Sequence, residues 1–460
     1  MAGQEFDLVV VGTGPGGYVA AIRGAQLGMS VAVIERENLG GICLNWGCIP
    51  TKALLRSAEV YHLAKTSNEY GFKVKDIEID IDAIVKRSRN VANQLNSGVG
   101  HLLQKNKVDV LDGHARLLGE GRIGVEVDGT QVMEVGAKHI ILATGARARD
   151  LPTMEADGKQ IWNYRHALVA DVIPKRLLVV GSGAIGIEFA SFFNTLGSEV
   201  TVVEVLDRVL PVEDEEISAM AHKAFEKQGM RILTDVQVEG LKKTKVDVTA
   251  AIKTADGKAE SIVVDRVIMA VGIIGNVEDL GLENTKVKVD RSHVEVDRWQ
   301  ATGEPGVYAI GDLAAPPWLA HKASHEGVIC VEKIAEVADV HPLEPMNIPG
   351  CTYCLPQVAS VGLTEAAAKV AGHEVRVGRF PFIGNGKAIF KILELGHAYN
   401  GAKNLFLKHA HLVVSLKYGG LDIKAALKAF IVGGFSSRKY LATFFFTYFY
   451  IIEDFFILII

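Results

Sequence analysis

A chain of 460 residues is too long for one hydrophobic core and predicts three or four structural units. Its 49% apolar content, average charge and 47 glycines describe a globular protein, and a formal net charge of −5 leaves no basic footprint for nucleic acid. Five cysteines are too few for a secreted disulfide scaffold and point to a reducing, cytoplasmic setting.

Met1 to Glu5 is a short polar lead without a targeting pattern, and the first strand is expected at once. Leu8 to Val11 is a continuous apolar run, as in a parallel strand covered on both faces. It enters Gly12-Thr13-Gly14-Pro15-Gly16-Gly17, a small-residue helix from Tyr18 to Leu27, and a strand from Ser30 to Ile34 that ends at Glu35. Gly12, Gly14 and Gly17 supply a tight turn, close backbone approach to a pyrophosphate, and close helix–strand packing. The helix N-terminus offers amides to phosphate, and Glu35 stands where an acid accepts from ribose hydroxyls. A glycine pattern alone is weak; strand, turn, helix, strand and acid in order make it specific.

Next comes Gly40-Gly41-Ile42-Cys43-Leu44-Asn45-Trp46-Gly47-Cys48-Ile49-Pro50-Thr51-Lys52. On an ideal helix a five-residue step raises the second cysteine about 7.5 Å, beyond the reach of a disulfide. A bridge between them would need a distorted helix start, which Gly47 and Pro50 permit, and would be easily reduced. Two unpaired, buried thiols are the alternative. Lys52, four residues after Cys48, shares its helical face and favours a thiolate there.

Ile77 to Lys107 reads as helix, Val108 to Ala115 as a strand running into a glycine turn, and Ile140 to Gly145 as an apolar strand with a small turn. The nucleotide unit then repeats. Arg176 to Val180 leads into Gly181-Ser182-Gly183-Ala184-Ile185-Gly186, a helix from Ile187 to Leu196, and a strand from Glu199 to Val203 ending at Glu204. Two such units imply two dinucleotides with hydride transfer between them. Glu204 favours free ribose hydroxyls over a 2′-phosphate, hence NAD over NADP, and Arg208 beside Asp207 does not outweigh it. Val267 to Gly272 repeats the glycine-terminated strand, Val307 to Asp312 is a strand ending on an acid, and Ala320 begins a helix to Val337.

Together the Gly12–Glu35 unit, the 40–52 stretch, ATGA at 143–146, GSGAIGIE at 181–188 and YAIGD at 308–312 resemble the pyridine nucleotide–disulfide oxidoreductases, most closely their dihydrolipoyl dehydrogenase branch. The resemblance implies an α/β fold with two Rossmann-like domains, for FAD and NAD, a central domain and an incomplete α+β interface domain. The corresponding boundaries are 1–150, 151–275, 276–345 and 346–389, with an aberrant segment over 390–460. It implies a Cys43–Cys48 redox disulfide, with Cys43 as interchange thiol and Cys48 as the thiolate near the flavin. FAD would use Gly12, Gly14, Gly17 and Glu35, with Lys52 near its ring and paired to Glu188. Gly113, His114, Ala115, Thr144 and Gly145 would line the adenine side, Asp312 the ribityl or pyrophosphate, and Leu319, Ala320, His321 and Ala323 the ring edge. NAD would use Gly181, Gly183, Gly186, Glu188, Glu204 and Gly272. No metal is implied. The implied partners are a second copy of the chain and the lipoyl domain of a 2-oxoacid dehydrogenase complex, with neither nucleic acid nor membrane.

The resemblance departs from pattern near the end. Cys354 stands where a threonine is usual, and its spacing from Cys351 reads as structural, there being no second such pair. After Ile389 no His-Pro segment with a downstream Glu occurs, and His397, His409 and His411 match the expected base by residue type only. The apolar stretch from Leu441 to Ile460 contains Glu453 and Asp454, which argues against a membrane span. The expectation is therefore that flavin reduction by NADH survives while dithiol turnover and the dimer interface suffer. Glutathione-type reductases would want basic residues in place of Glu204, and mercuric reductases a terminal cysteine pair. A non-catalytic flavoprotein scaffold is the reading outside the enzyme class, opposed by the retained cysteines, Lys52 and Glu188.

Overall fold

The computed structural model describes residues 4–379. The aberrant segment over 390–460 and the histidines at 397, 409 and 411 lie outside the described residues.

Gln4–Val11 forms the centre of a seven-stranded sheet, pairing in parallel with Val31–Glu35 on one side and Thr130–Leu142 on the other. The strand period divides its apolar run between two cores. Leu8 and Val10 pack with Tyr18, Ala20 and Ala21 under the helices, while Val9 and Val11 pack with Ile123, Val125 and Val135 on the opposite face. This accounts for the unbroken apolar sequence: neither face meets water.

The second unit repeats the arrangement. Arg176–Val180 lies between Glu199–Val203 and Arg266–Met269, all parallel. Leu177 and Val179 point into one core with Phe189, Phe192 and Phe193, and Leu178 and Val180 into another with Val248, Ala250 and Ile252. That second core is covered by an antiparallel sheet of Gln237–Lys243, Val248–Lys253 and Ala259–Val264.

After the second unit the chain returns to the first sheet. Val307–Ala309 pairs in parallel with Ile140, Ile141 and Leu142, which delivers Gly311 and Asp312 to the carboxyl ends of the central strands. Ligands of open parallel sheets bind at such ends. The helix that follows, Ala320–Ile334, packs on the helix Pro15–Gln26 through small residues. A Cβ on Gly327 would stand 2.7 Å from the Gly16 carbonyl oxygen.

Several boundaries differ from the sequence reading. The long helix is Ile81–Lys105, starting four residues later because the Asp80 carboxylate accepts from the Ala83 N–H at 2.9 Å and caps it. Val108 to Ala115 divides into two strands, Asp109–Asp112 and His114–Gly119, at the left-handed Gly113 (φ +148). The helix from Ala320 ends at Ile334 rather than Val337.

Candidate active site

Each nucleotide unit builds its phosphate loop in the same way. A Cβ on Gly17 would lie 2.0 Å from the Gly12 carbonyl oxygen, and one on Gly186 would lie 2.0 Å from that of Gly181. Only glycine permits these contacts. A Cβ on Gly14 or Gly183 would meet nothing within 4 Å, so each loop is closed below and open above. Gly14 and Gly183 are the N-caps of Pro15–Gln26 and Ala184–Thr195, and neither helix has a side-chain cap. Their first amides are left to an anion outside the chain. These open, uncapped loops fit the pyrophosphates of FAD and NAD.

The acids at the strand ends serve the same loops. Glu35 accepts from the Thr13 N–H and Oγ1 at 2.9 and 2.6 Å and from the Arg36 and Glu37 amides. Glu204 accepts from the Ser182 N–H and Oγ at 2.8 and 2.6 Å and from the Leu206 amide. Each carboxylate thus fixes its phosphate loop, a structural duty additional to the ribose contact read from sequence. Arg208 pairs with its neighbour Asp207 at 3.3 Å.

Above the first loop opens a cleft of about 780 Å³, lined on one side by Gly12, Gly14 and Glu35 and on the other by Cys43, Cys48 and Lys52. The cysteine stretch is two helices, Gly41–Trp46 and Cys48–Lys65, broken at Gly47. The break replaces the single distorted helix considered from sequence. A Cβ on Gly47 would press on the Ile42 carbonyl at 3.1 Å, so glycine allows the second helix to restart close beside the first. Gly41, left-handed at φ +60, brings the first helix onto the phosphate loop, and a Cβ there would stand 2.6 Å from the Gly14 Cα.

Both cysteines are free thiols in this structure. They are nevertheless unequal. Hydrogen bonding with Cys48, then burial, pushes the Cys43 pKa well up. The same bond holds the Cys48 pKa down, assisted by the Lys52 charge and opposed by burial, Asp312 and Glu188. Cys48 is also the first residue of its helix, where the dipole favours an anion. Of the two, Cys48 is the one whose surroundings favour the thiolate.

Lys52 Nζ donates to both Glu188 oxygens at 2.9 Å, joining the cysteine helix to the helix Ala184–Thr195 of the second unit. Burial works against the Lys52 charge, but Glu188 and Cys48 outweigh it and hold the ammonium protonated. Glu188 Oε1 also accepts from the Tyr353 amide at 2.8 Å, and the Tyr353 ring lies over Lys52 with its centroid 4.7 Å from Nζ. Sequence reasoning missed Tyr353, since three hundred positions separate it from Lys52 and no motif links them. Cys351 lines the cleft nearby, burial raising its pKa to about 12. Cys354 is a buried core thiol donating to the Pro356 carbonyl at 3.0 Å.

Of the remaining sequence-derived residues, Gly113, His114, Thr144, Gly145, Asp312, Leu319, Ala320 and Ala323 line the same cleft. His114 Nε2 lies 2.9 Å from the Asp279 carbonyl. Ala115 is 3% exposed and its side chain belongs to the core. His321 is not part of the cleft lining: its Nε2 lies 2.8 Å from the Pro349 carbonyl. Gly181, Gly183, Gly186, Glu204 and Gly272 gather at the second loop, outside this cleft, while Glu188 reaches into it.

The model of the pyridine nucleotide-disulphide oxidoreductases matches residues 6–327, and that of their dimerisation domain matches residues 348–399. The chain belongs to this family. Similarity to the family does not stop at Ile389: the match to the dimerisation domain runs ten residues past it. The family's cofactors, FAD and NAD, are those of this chain. Among curated members, the dihydrolipoyl dehydrogenase of Zymomonas mobilis is 54% identical over 386 residues, covering 84% of this chain and 83% of that protein. That of Rhizobium etli is 50% identical over 444 residues, covering 93% of this chain and 92% of its own. Among solved structures, LpdA of Mycobacterium tuberculosis superimposes with a TM-score of 0.77 at 27% identity, over 84% of both chains. Among the described residues no group of three His, Cys, Asp or Glu could hold a metal ion, and no helix is long and apolar enough to cross a membrane.

Proposed function

We propose that this oxidoreductase oxidises a dihydrolipoyl dithiol with NAD+, as the dihydrolipoyl dehydrogenase component of a 2-oxoacid dehydrogenase complex. The observation that carries the reading is the unequal cysteine pair with Lys52, Glu188 and the first phosphate loop around one cleft. The high identity to proteins named dihydrolipoyl dehydrogenase supports the substrate.

FAD would lie with its pyrophosphate over Gly12, Gly14 and Gly17, its ribose at Glu35, and Asp312 and Lys52 at the ribityl and ring end. NAD would lie over Gly181, Gly183 and Gly186, with Glu204 at its ribose. Held there, FAD would supply two-electron chemistry between the thiols and NAD+. The protein's own steps are thiol chemistry. In the oxidised enzyme Cys43 and Cys48 form a disulfide, and a substrate thiolate attacks Cys43 Sγ, so that Cys48 leaves as a thiolate. Departure from Cys48 is favoured because a low thiol pKa makes a better leaving group, and Cys48 is the depressed one. The second substrate thiol then attacks the mixed disulfide, forming the cyclic disulfide product and releasing Cys43, which takes up a proton. The reduced pair is then a Cys43 thiol beside a Cys48 thiolate, in line with the raised pKa of the first and the lowered pKa of the second. Lys52 balances that thiolate, and Glu188 fixes Lys52 between the two units.

The first attack needs a base to remove the substrate proton. In the family it is a histidine held by a glutamate, and 390–460 has no His-Pro segment of that kind. The function is therefore read as two separable halves, with NADH oxidation through the flavin intact and dithiol turnover impaired. A homodimer and a cytoplasmic setting complete the reading. Purified holoenzyme would be assayed with NADH and an artificial dye, and separately with dihydrolipoamide and NAD+. Dye reduction lost in Cys48-intact protein would defeat the oxidoreductase site as drawn, and full dithiol turnover would remove the impairment.

A further inference from the structure

The mechanism leaves unused a buried charge pair on the helix Ala320–Ile334. Lys322 and Glu326 are 4% and 6% exposed, and Lys322 Nζ lies 3.0 Å from Glu326 Oε1. A buried ion pair seldom repays its desolvation as stability, so its retention calls for another role. Neither charge is spent on the partner alone. Glu326 Oε2 accepts from the Gly311 N–H at 2.9 Å. Lys322 Nζ donates to the Gly311 carbonyl at 3.2 Å and to the Ala315 carbonyl at 2.6 Å. The pair thereby satisfies both backbone groups of Gly311 and spans the short turn Gly311–Leu313 that bears Asp312.

The turn is also closed by the Ala314 N–H, which donates to the Gly311 carbonyl at 3.1 Å, so the buried pair adds to a bond within the turn. Gly311 is left-handed at φ +72, and a Cβ there would press on the Ala323 Cβ at 3.2 Å. Asp312 lines the cleft with Cys43 and Cys48, and its charge acts on both thiols. Burial raises the Asp312 pKa, and the Lys322 charge works against that rise.

We propose that Lys322 and Glu326 are positioning residues for FAD: they hold the Gly311–Leu313 turn so that Asp312 meets the flavin's ribityl or pyrophosphate end. The inference rests on the FAD placement above and goes beyond it by assigning two residues that touch neither cofactor nor substrate.

The test separates positioning from simple burial of charge. Apoprotein is prepared as wild type, Glu326→Gln, Glu326→Met, Lys322→Met/Glu326→Met and Asp312→Asn. Thermal unfolding is followed alongside FAD affinity, measured by flavin fluorescence, and the flavin midpoint potential of the reloaded proteins. Glu326→Gln keeps an acceptor for Gly311 and should bind FAD within about threefold of wild type, while Glu326→Met should bind roughly tenfold or more weakly. The double Met variant removes both buried charges and should regain much of the unfolding temperature, yet still bind FAD weakly and shift the potential in the direction of Asp312→Asn. Wild-type affinity and potential in the double variant would overturn the inference while leaving the FAD placement standing. Unaltered FAD binding in Asp312→Asn would instead strike the placement itself.

Discussion

Replacing Lys52 by Met removes the cation that, among the described residues, acts most strongly on Cys48, while keeping an apolar stem of similar length. In the structure Lys52 lowers the Cys48 pKa, and Asp312 and Glu188 raise it. With Lys52 gone, only the hydrogen bond from position 43 opposes the two acids and the burial that disfavour the thiolate. An opposite charge at this range shifts a pKa by about 1 to 3 units, so the Cys48 titration should move up by roughly that amount. At a fixed pH below the wild-type value the thiolate population falls by roughly tenfold to a thousandfold. The substitution also leaves Glu188, 5% exposed, without its cation. Its bond from the Tyr353 amide remains, so the stability loss should fall near the lower end, about 3 kcal/mol, of the cost of breaking a buried pair. The assay is ultraviolet thiolate absorbance of dithionite-reduced enzyme against pH, with Cys43→Ser present throughout to isolate Cys48. Lys52→Met/Glu188→Gln provides the control: stability should recover in part, and the Cys48 pKa should fall back toward wild type because one opposing acid has gone. A Lys52→Met enzyme whose Cys48 titrates as in the wild type would refute the electrostatic argument, whatever its activity.

Three further outcomes follow from the same geometry. In wild-type two-electron-reduced enzyme the depressed Cys48 pKa keeps its thiolate as pH falls through the ordinary thiol value of about 8.5; a thiolate signal lost at that value would contradict it. Gly186→Ala should abolish NADH binding while FAD stays bound, because its Cβ would collide with the Gly181 carbonyl in the second loop only; equilibrium dialysis against each nucleotide reads the split. Tyr353→Phe should leave Lys52 nearly unaffected and Tyr353→Ala should cost about 1 kcal/mol, the worth of the lost cation–π contact, measured by urea unfolding.

Much of the site was legible because nucleotide binding is written locally. Gly12, Gly14, Gly17 and Glu35 lie within one strand–turn–helix–strand unit, and the same local contacts recur at Gly181 to Glu204. What was illegible depends on distant backbone. The restart of the helix at Gly47 has a ψ of −116° that no periodicity announces, so the cysteines looked like one helix with a poor start. Tyr353 reaches Lys52 through the strand pair Pro349–Thr352 and Val358–Val361, whose place against the helix Ala184–Thr195 is set by tertiary contacts such as the Leu355 N–H on Ser191 Oγ at 2.9 Å. His321 had a place in the motif but turns to the Pro349 carbonyl. Lys322 and Glu326 show a common four-residue spacing, which reads as a solvated helix face until Ala320–Ile334 is found packed on Pro15–Gln26. Sequence gives the spacing of charges, whereas burial decides their role.

The account rests on Cys48 being a thiolate against the flavin. Anaerobic addition of one equivalent of NADH to the purified holoenzyme, followed by visible absorption, tests it most directly. A long-wavelength thiolate-to-flavin band, lost in Cys48→Ser, is the predicted result. Flavin bleaching without that band, or a band unchanged in Cys48→Ser, would contradict it.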